Sequence, residues 1–339
     1  TRWLSDWSSD VCSSDLRLHG LEHVCLASRQ LNLKHPGIVS TFEHGSSHYA
    51  MTRASTRGHE DSIAADFQND LLMALAELPD RGNYQRIHVF VYCGSSRMAV
   101  WLAEKTWPES LTICINAFWD FLLDEPPLAE LPRLHFQRSV HLLAMSDLHA
   151  RCWHEGSGLH FDGIPNPPPL LSDRDTYDCI RERIGVSRAP GPLRVLVPGL
   201  MTMGKGREST QALLDYLRQH GTAGCEYVIR DRKCELGDGY DTQVRILTGD
   251  LSDAQVMALY RESDIVLLPY EAEVFAVRTS GALVDALVFG AVPLVLEGTW
   301  LAHQCRLYEA GQVLPDAQPL TVVDAVAAVD RKSTRLNSS

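Results

Sequence analysis

Two glycine-bearing segments in the C-terminal half of the chain have the residue types that hold phosphate. VPGLMTMGKGRE (Val197–Glu208) follows an apolar run and opens a helical pattern. Gly199, Gly204 and Gly206 let backbone come close to a ligand, and Lys205 stands at the mouth of the helix. A helix start beside a lysine attracts anions, because unpaired N–H groups and the helix dipole both favour negative charge. Taken alone, the segment reads equally as a flexible turn with a solvated lysine. Its spacing is neither that of a Walker loop nor that of a dinucleotide fingerprint. RTSGALVDALVFGAVPLV (Arg278–Val295) is more specific. Thr279 and Ser280 are good helix caps, and Gly281 leaves room for phosphate oxygens at the first free N–H groups. Asp285, one turn further, has the chemistry to accept hydrogen bonds from ribose hydroxyls. Gly290 closes the helix before Pro293 opens a strand. A capped core helix with no ligand is the alternative.

Residues so far apart in the chain meet only if regular elements bring them together. In the N-terminal half, IHVFVY (Ile87–Tyr92), LTICINAF (Leu111–Phe118) and SVHLLAMS (Ser139–Ser146) read as strands covered on both faces. Helical patterns alternate with them. Ser62–Leu78 places Ile63, Phe67, Leu71, Leu75 and Leu78 on one stripe, and Ser96–Lys105 follows the first strand. GIPNPPPLLSD (Gly163–Asp173) breaks both patterns and reads as a semi-rigid linker, with a short helix expected over Thr176–Ile184. The alternation then restarts. Strands are expected at Leu193–Gly199, Glu226–Arg230, Gln243–Gly249, Asp264–Tyr270 and Ala291–Glu297, and helices at Gly206–His220, Ser252–Arg261, Thr279–Phe289 and Thr299–Ala310. The expected class is α/β: two doubly wound, parallel-sheet, Rossmann-like domains with ligands in an interdomain cleft at the strands' carboxyl ends.

Composition narrows the function. Of 339 residues 45% are hydrophobic, and Lys plus Arg number 31 against 43 Asp plus Glu, a net charge of -12. An acidic body argues against nucleic acid as the main partner. No apolar run reaches the length of a membrane span. The nine Cys form no CxxC pair, which fits a reducing, cytoplasmic setting rather than zinc or a disulfide framework.

The second half resembles the donor-binding domain of a retaining GT-B glycosyltransferase of the glycosyltransferase group 1 (family 4) type. The matching motifs are Gly199…Lys205-Gly206 after the first strand, ILTGDLSDAQVMALYRESDIVLLPY, and DALVFGAVPLV for the closing signature. LLAMSDLHARCW and IPNPPP resemble the family's strand-to-helix turn and its linker, so the resemblance covers about Ser139–Val329. It implies transfer of a sugar from a nucleotide-diphosphate sugar to a glycan or lipid-linked acceptor, with no cofactor and no metal. Lys205 would contact the diphosphate, Ser280 and Gly281 would give amides to the distal phosphate, Asp285 would hold the ribose, and Leu251 would lie against the base. Thr202, Tyr270, Glu273 and Thr279 complete the implied donor-binding set. The chain departs from the family in three ways. Leu200 and Met201 stand where an Arg is usual, a cation that Arg278 is placed to supply. Val277 stands where the first Glu of the acidic pair belongs, with Glu271 and Glu273 nearby. The second acid is Asp rather than Glu.

The first half gives fewer signals. Asn116 and Asp120 in NAFWDF follow a strand, and the resemblance puts Asn116 among acceptor-facing, catalytic candidates with Lys205 and Arg278. A polar loop between core aromatics is the plainer reading. His44 and His48 beside Glu43 lack the helical register a metal pair needs. His88 reads as structural, and RDRK (Arg230–Lys233) as a solvated edge. Residues 1–16 and 330–339 resemble translated sequencing adapter without helical or strand periodicity. They leave an acceptor-side domain at 17–165, a linker at 166–190 and a donor domain at 191–329. The natural part is then expected to be truncated at both ends, short of its first strand and its final helix, so this fragment is expected to be inactive even where its parent is an enzyme. Gly20–Ser28 reads as the tail of a helix. A cytoplasmic enzyme is expected, at most peripheral at the inner face of a membrane. The competing functions are a non-catalytic two-lobed binding module and a nucleotide-sugar epimerase. A nicotinamide dehydrogenase would want the missing GxGxxG.

Overall fold

The computed structural model describes residues 25–28, 38–42, 87–94, 111–117, 140–164, 191–199, 204–231 and 242–336, with a few single positions between. Side chains are described except in the first three of those stretches, at 116–117 and beyond 329. The chain divides into two units, Thr1–Asn166 and Pro167–Ser339.

In the first unit, β1 (Cys25–Ser28) and β2 (Ile38–Phe42) form a parallel pair, in register from Cys25↔Ile38 to Ala27↔Ser40. The helical reading of Gly20–Ser28 is thereby corrected over Cys25–Ser28. The segment is extended because it pairs with the β-branched run IVSTF, a contact that nothing local in CLAS announces. A separate sheet runs in the order β3 (Ile87–Gly94), β4 (Leu111–Ala117), β5 (Val140–Ala144) and β6 (Asp162–Gly163), all parallel. Helix α1 (Asp147–Ser157) follows β5 and buries His149, Ala150 and Trp153. Asn69, Leu72, Met73 and Ala76 are helical and exposed, on the face opposite the expected stripe, whose own residues lie outside the described set. Leu102 and Ala103 are helical and buried.

The second unit is one six-stranded parallel sheet with helices between its strands. In chain order it comprises β7 (Arg194–Val197), α2 (Arg207–His220), β8 (Glu226–Asp231), β9 (Val244–Thr248), α3 (Asp253–Glu262), β10 (Ile265–Leu268), α4 (Ala272–Phe275), α5 (Gly281–Val288), β11 (Val292–Leu296), α6 (Trp300–Leu307), β12 (Gln312–Leu314) and α7 (Pro319–Leu336). From Leu193 onward every expected strand and helix is present; the helix expected over Thr176–Ile184 lies outside the described residues. The sheet order β12-β11-β10-β7-β8-β9 means that the chain winds outward from β7, returns to its other side and winds outward again. β10, between β7 and β11, buries all four of its residues, which is why it reads as an unbroken apolar run. Thr210, Leu213, Leu214 and Leu217 form the buried stripe of α2, and α7 packs on α2 and β12. Helix α7 continues through Leu336, which corrects the expectation that residues 330–336 lack helical order. Arg230 and Asp231 correct the solvated-edge reading: Asp231 is fully buried, and its Oδ2 accepts the Leu236 N–H at 2.7 Å. No described helix is long and apolar enough to cross a membrane.

Candidate functional site

Parallel sheets of this winding bind ligands where the strand order reverses, outside the carboxyl ends of the two strands concerned. Here those strands are β7 and β10. The segment after β7 carries Gly199, Gly204, Lys205 and Gly206; the segment after β10 carries Tyr270 and leads through α4 to Arg278, Thr279 and Ser280. The fold thus brings both glycine-bearing segments to one edge.

The two segments are docked onto each other. The Glu271 N–H donates to the Gly204 carbonyl at 3.0 Å. Gly204 and Gly206 have φ of 83° and 75°, where a side chain is strained. Space is also short. A Cβ on Gly204 would lie 2.8 Å from a methyl of Val274, and one on Gly206 would overlap the Pro269 carbonyl and lie 2.6 Å from its Cγ. These glycines are needed for packing between two loops, a use that the sequence pattern alone does not separate from ligand approach. Gly199 is different: a Cβ there would rest 3.8 Å from the Tyr270 ring, an ordinary contact.

Lys205, held between the two constrained glycines, places its Nζ 5.9 Å from the centre of the Tyr270 ring. Tyr270 is itself 2% exposed, and its ring meets Phe275 at 4.5 Å between centroids. The Arg278 guanidinium lies 5.0 Å from the Phe275 ring centre. Each cation therefore sits near one ring of this tilted aromatic pair, an attraction of roughly 0.5–2 kcal/mol apiece. The Tyr270 hydroxyl is hydrogen-bonded to the Ser280 side chain. Ser280 caps α5, its Oγ accepting the Leu283 N–H at 3.4 Å. Lys205 and Ser280 thus meet the same residue, one over the ring and one at the hydroxyl.

The electrostatics follow from this crowding. Burial, with Arg278 and Arg230 as neighbouring positive charges, pulls the Lys205 ammonium down from 10.5 to about 8. Arg230 ends up beside Lys205 because β8 is the next strand to β7. Tyr270 is pushed up to about 12, chiefly by burial; the Ser280 bond and Arg278 oppose this, and Asp285 adds to it. Tyr260, in the last turn of α3, is raised further by burial and by Asp285. The first turn of α5 contains no acidic residue, so nothing anionic from its own sequence competes for the helix end.

The remaining candidates are placed as follows. Thr279 is buried beside Ser280, and Gly281 is half-buried at the first position of α5. Asp285 is 4% exposed, on the inward face of α5 with Leu283 and Ala286. Glu273 is exposed on α4, and half-buried Leu251 lies past β9, immediately before the Ser252 cap of α3. Thr202, Asp120, Glu43, His44 and His48 lie outside the described residues, as does the stretch expected to form the linker. Asn116 belongs to the other unit, in β4, with its backbone opposite Leu143. Arg230 is the site neighbour that the sequence reading passed over; its position at the carboxyl end of the strand next to β7 was the signal. Among the described residues no three His, Cys, Asp or Glu side chains gather as a metal site.

No protein-family model matches the chain, and no curated protein matches it. Solved structures do. The N-terminal domain of a Candida albicans trehalose-6-phosphate phosphatase superposes with a TM-score of 0.53 at 9% identity, over 90% of this chain and 78% of that one. An α,α-trehalose-phosphate synthase (UDP-forming) from Burkholderia vietnamiensis gives 0.52 at 14%, over 88% and 80%. WaaG, a glycosyltransferase involved in lipopolysaccharide biosynthesis, gives 0.51 at 14%, over 99% and 91%. At these identities the likeness establishes architecture, and the architecture is the GT-B glycosyltransferase fold.

Proposed function

We propose that the protein transfers a sugar from a nucleotide-diphosphate sugar to a glycan or lipid-linked acceptor, with retention and without a metal. The observation that carries this reading is the meeting of Lys205, Arg278 and the capped end of α5 around Tyr270. Breaking the bond between the anomeric carbon and the diphosphate oxygen leaves the electron pair on that oxygen. Fixed positive charge and helix amides at that point stabilise the transition state more than the ground state. In this reading Lys205 and Arg278 flank the diphosphate, and Ser280 and Gly281 give amides to its distal phosphate. Strands lie about 4.8 Å apart, so the ends of β10 and β9, three strand spacings from each other, are roughly 14 Å apart. That span suits a nucleoside diphosphate laid across β7 and β8 with its base against Leu251. The neighbouring UDP-forming synthase and WaaG make a nucleotide-sugar donor the natural substrate class.

The test is calorimetric titration of the full chain with UDP and GDP, followed by incubation with the matching donor sugars. Binding is expected, with Lys205→Met weakening it about 10- to 100-fold, the effect of one charged hydrogen-bonding partner. Acceptor-dependent release of nucleoside diphosphate then identifies a transferase. Equal binding by wild type and K205M, or none by either, overturns the reading. Val277, standing where the resemblance expects the first acid of the pair, favours one alternative, a two-lobed module that holds the ligand without turnover. Binding that depends on Lys205, with no release on any acceptor, would select it.

A further inference from the structure

The resemblance counts Tyr270 among the donor's own contacts, yet it is 2% exposed, too covered for a ligand to grip. What it touches are the parts of the site. Its ring centre lies 5.9 Å from the Lys205 Nζ and 4.5 Å from the Phe275 ring, itself 5.0 Å from the Arg278 guanidinium. Its hydroxyl meets Ser280, the cap of α5. A Cβ built on Gly199, just past β7, would stand 3.8 Å from both that hydroxyl and the ring edge. Its chain neighbours complete the packing: Pro269 fills the space beside Gly206, and the Glu271 N–H bonds to the Gly204 carbonyl. One short turn, Pro269–Glu271, therefore touches the Lys205 turn, the end of β7 and the start of α5.

We infer that Tyr270 is a positioning residue that sets how far the Lys205 ammonium stands from the capped end of α5, and so fits the site to two linked phosphates rather than one. The inference rests on the donor reading above. No rotatable bond lies between the ring that meets Lys205 and the carbon that bears the hydroxyl, so the two groups are held a fixed length apart. A ligand long enough to reach both gains from both only while that separation is kept. A single phosphate reaches one of them and is indifferent to it.

The probes are pyrophosphate and orthophosphate, titrated calorimetrically into the full chain, with thermal unfolding as the check on folding. Wild type is expected to prefer pyrophosphate. Tyr270→Phe keeps the ring beside Lys205 and loses only the tie to Ser280. It should weaken pyrophosphate roughly three- to tenfold and orthophosphate by no more than about twofold. Tyr270→Leu, which removes the ring as well, should narrow the preference further. On a Ser280→Ala background Y270F should add no loss, because the bond it breaks is already gone. Equal losses for both anions in Y270F would make Tyr270 a mere support of the lobe and overturn the inference. So would an unchanged preference, or a full further loss in the double variant, which would place the hydroxyl on the ligand. If a Tyr270 variant does not fold, S280A alone decides: an unchanged preference there rejects the inference, and a narrowed one upholds it. Wild type that binds a nucleoside diphosphate but does not favour pyrophosphate over orthophosphate leaves the donor reading standing and overturns this one. Wild type that binds neither anion and no nucleoside diphosphate defeats the donor reading itself.

Discussion

Both units contain a helix that begins at the carboxyl end of a parallel sheet and is capped by serine, yet the two helix ends differ in what they offer a ligand. Ser146 caps α1 by accepting the His149 N–H at 3.1 Å; Ser280 caps α5 in the same way with Leu283. At α1 the next residue is Asp147, a carboxylate in the first turn that answers the helix dipole from within the chain. Gly163 is pressed so close that a Cβ would stand 2.8 Å from the Asp147 N atom. His149, buried against Trp153, is held down to about 4 by its burial and so stays neutral. At α5 the first turn is free of acid, and Lys205 and Arg278 stand over the adjoining rings. Capping serves each helix. Lys205 from a second loop and Arg278, two residues ahead of the Ser280 cap, give only the α5 end the positive charge that the proposed anion site needs.

The largest effect that would test this contrast is steric. Gly206→Ala is expected to cost about 3 kcal/mol or more, because the methyl meets the Pro269 carbonyl and the backbone is left-handed there. Gly158→Ala, at φ of 72° with nothing near its missing Cβ, is expected to cost only about 1 kcal/mol. Denaturant unfolding of both variants compares them, and equal losses would mean the two loops are not packed as described. The next effect is titration, and it has opposite signs in the two units. Lys205 has a folded value of about 8, so nucleoside diphosphate affinity should be level below that pH and fall above it, by at most about tenfold per pH unit. His149, lowered from 6.5 to about 4, binds a proton more readily when unfolded, so the first unit should lose stability as pH falls through that window. Affinity that holds steady from pH 8 to 10 would remove Lys205 from the site. The smallest effect comes from the caps. Ser146→Ala and Ser280→Ala should each cost about 1 kcal/mol of stability, while only S280A weakens nucleoside diphosphate binding, by several-fold. A matching loss of affinity in S146A would erase the distinction between the helix ends.

The sheet of the second unit was readable because its strands are buried on both faces: Ile265–Leu268 and Val292–Leu296 can be little else. β12 was missed since three residues at a sheet edge carry no periodicity, and Cys25–Ser28 was misread since its strand depends on a distant partner. In the site, Lys205 and Ser280 were legible from glycine and cap chemistry. What Tyr270 does was not. In the sequence it closes the expected strand Asp264–Tyr270 and enters the donor set through the resemblance alone; its service to both loops exists only once β7 and β10 are neighbours. Arg230 was hidden for the same reason, as strand adjacency rather than spacing puts it beside Lys205.

The fit of Gly206 against Pro269 has a consequence for how such proteins diverge or are recombined. Each segment is packed and hydrogen-bonded against the other, so the Gly204–Gly206 turn and the Pro269–Glu271 turn, far apart in the gene, are expected to be inherited as a single module. Chimeras that exchange one without the other should fail at the seam, and those that swap both should carry the lysine's placement with them.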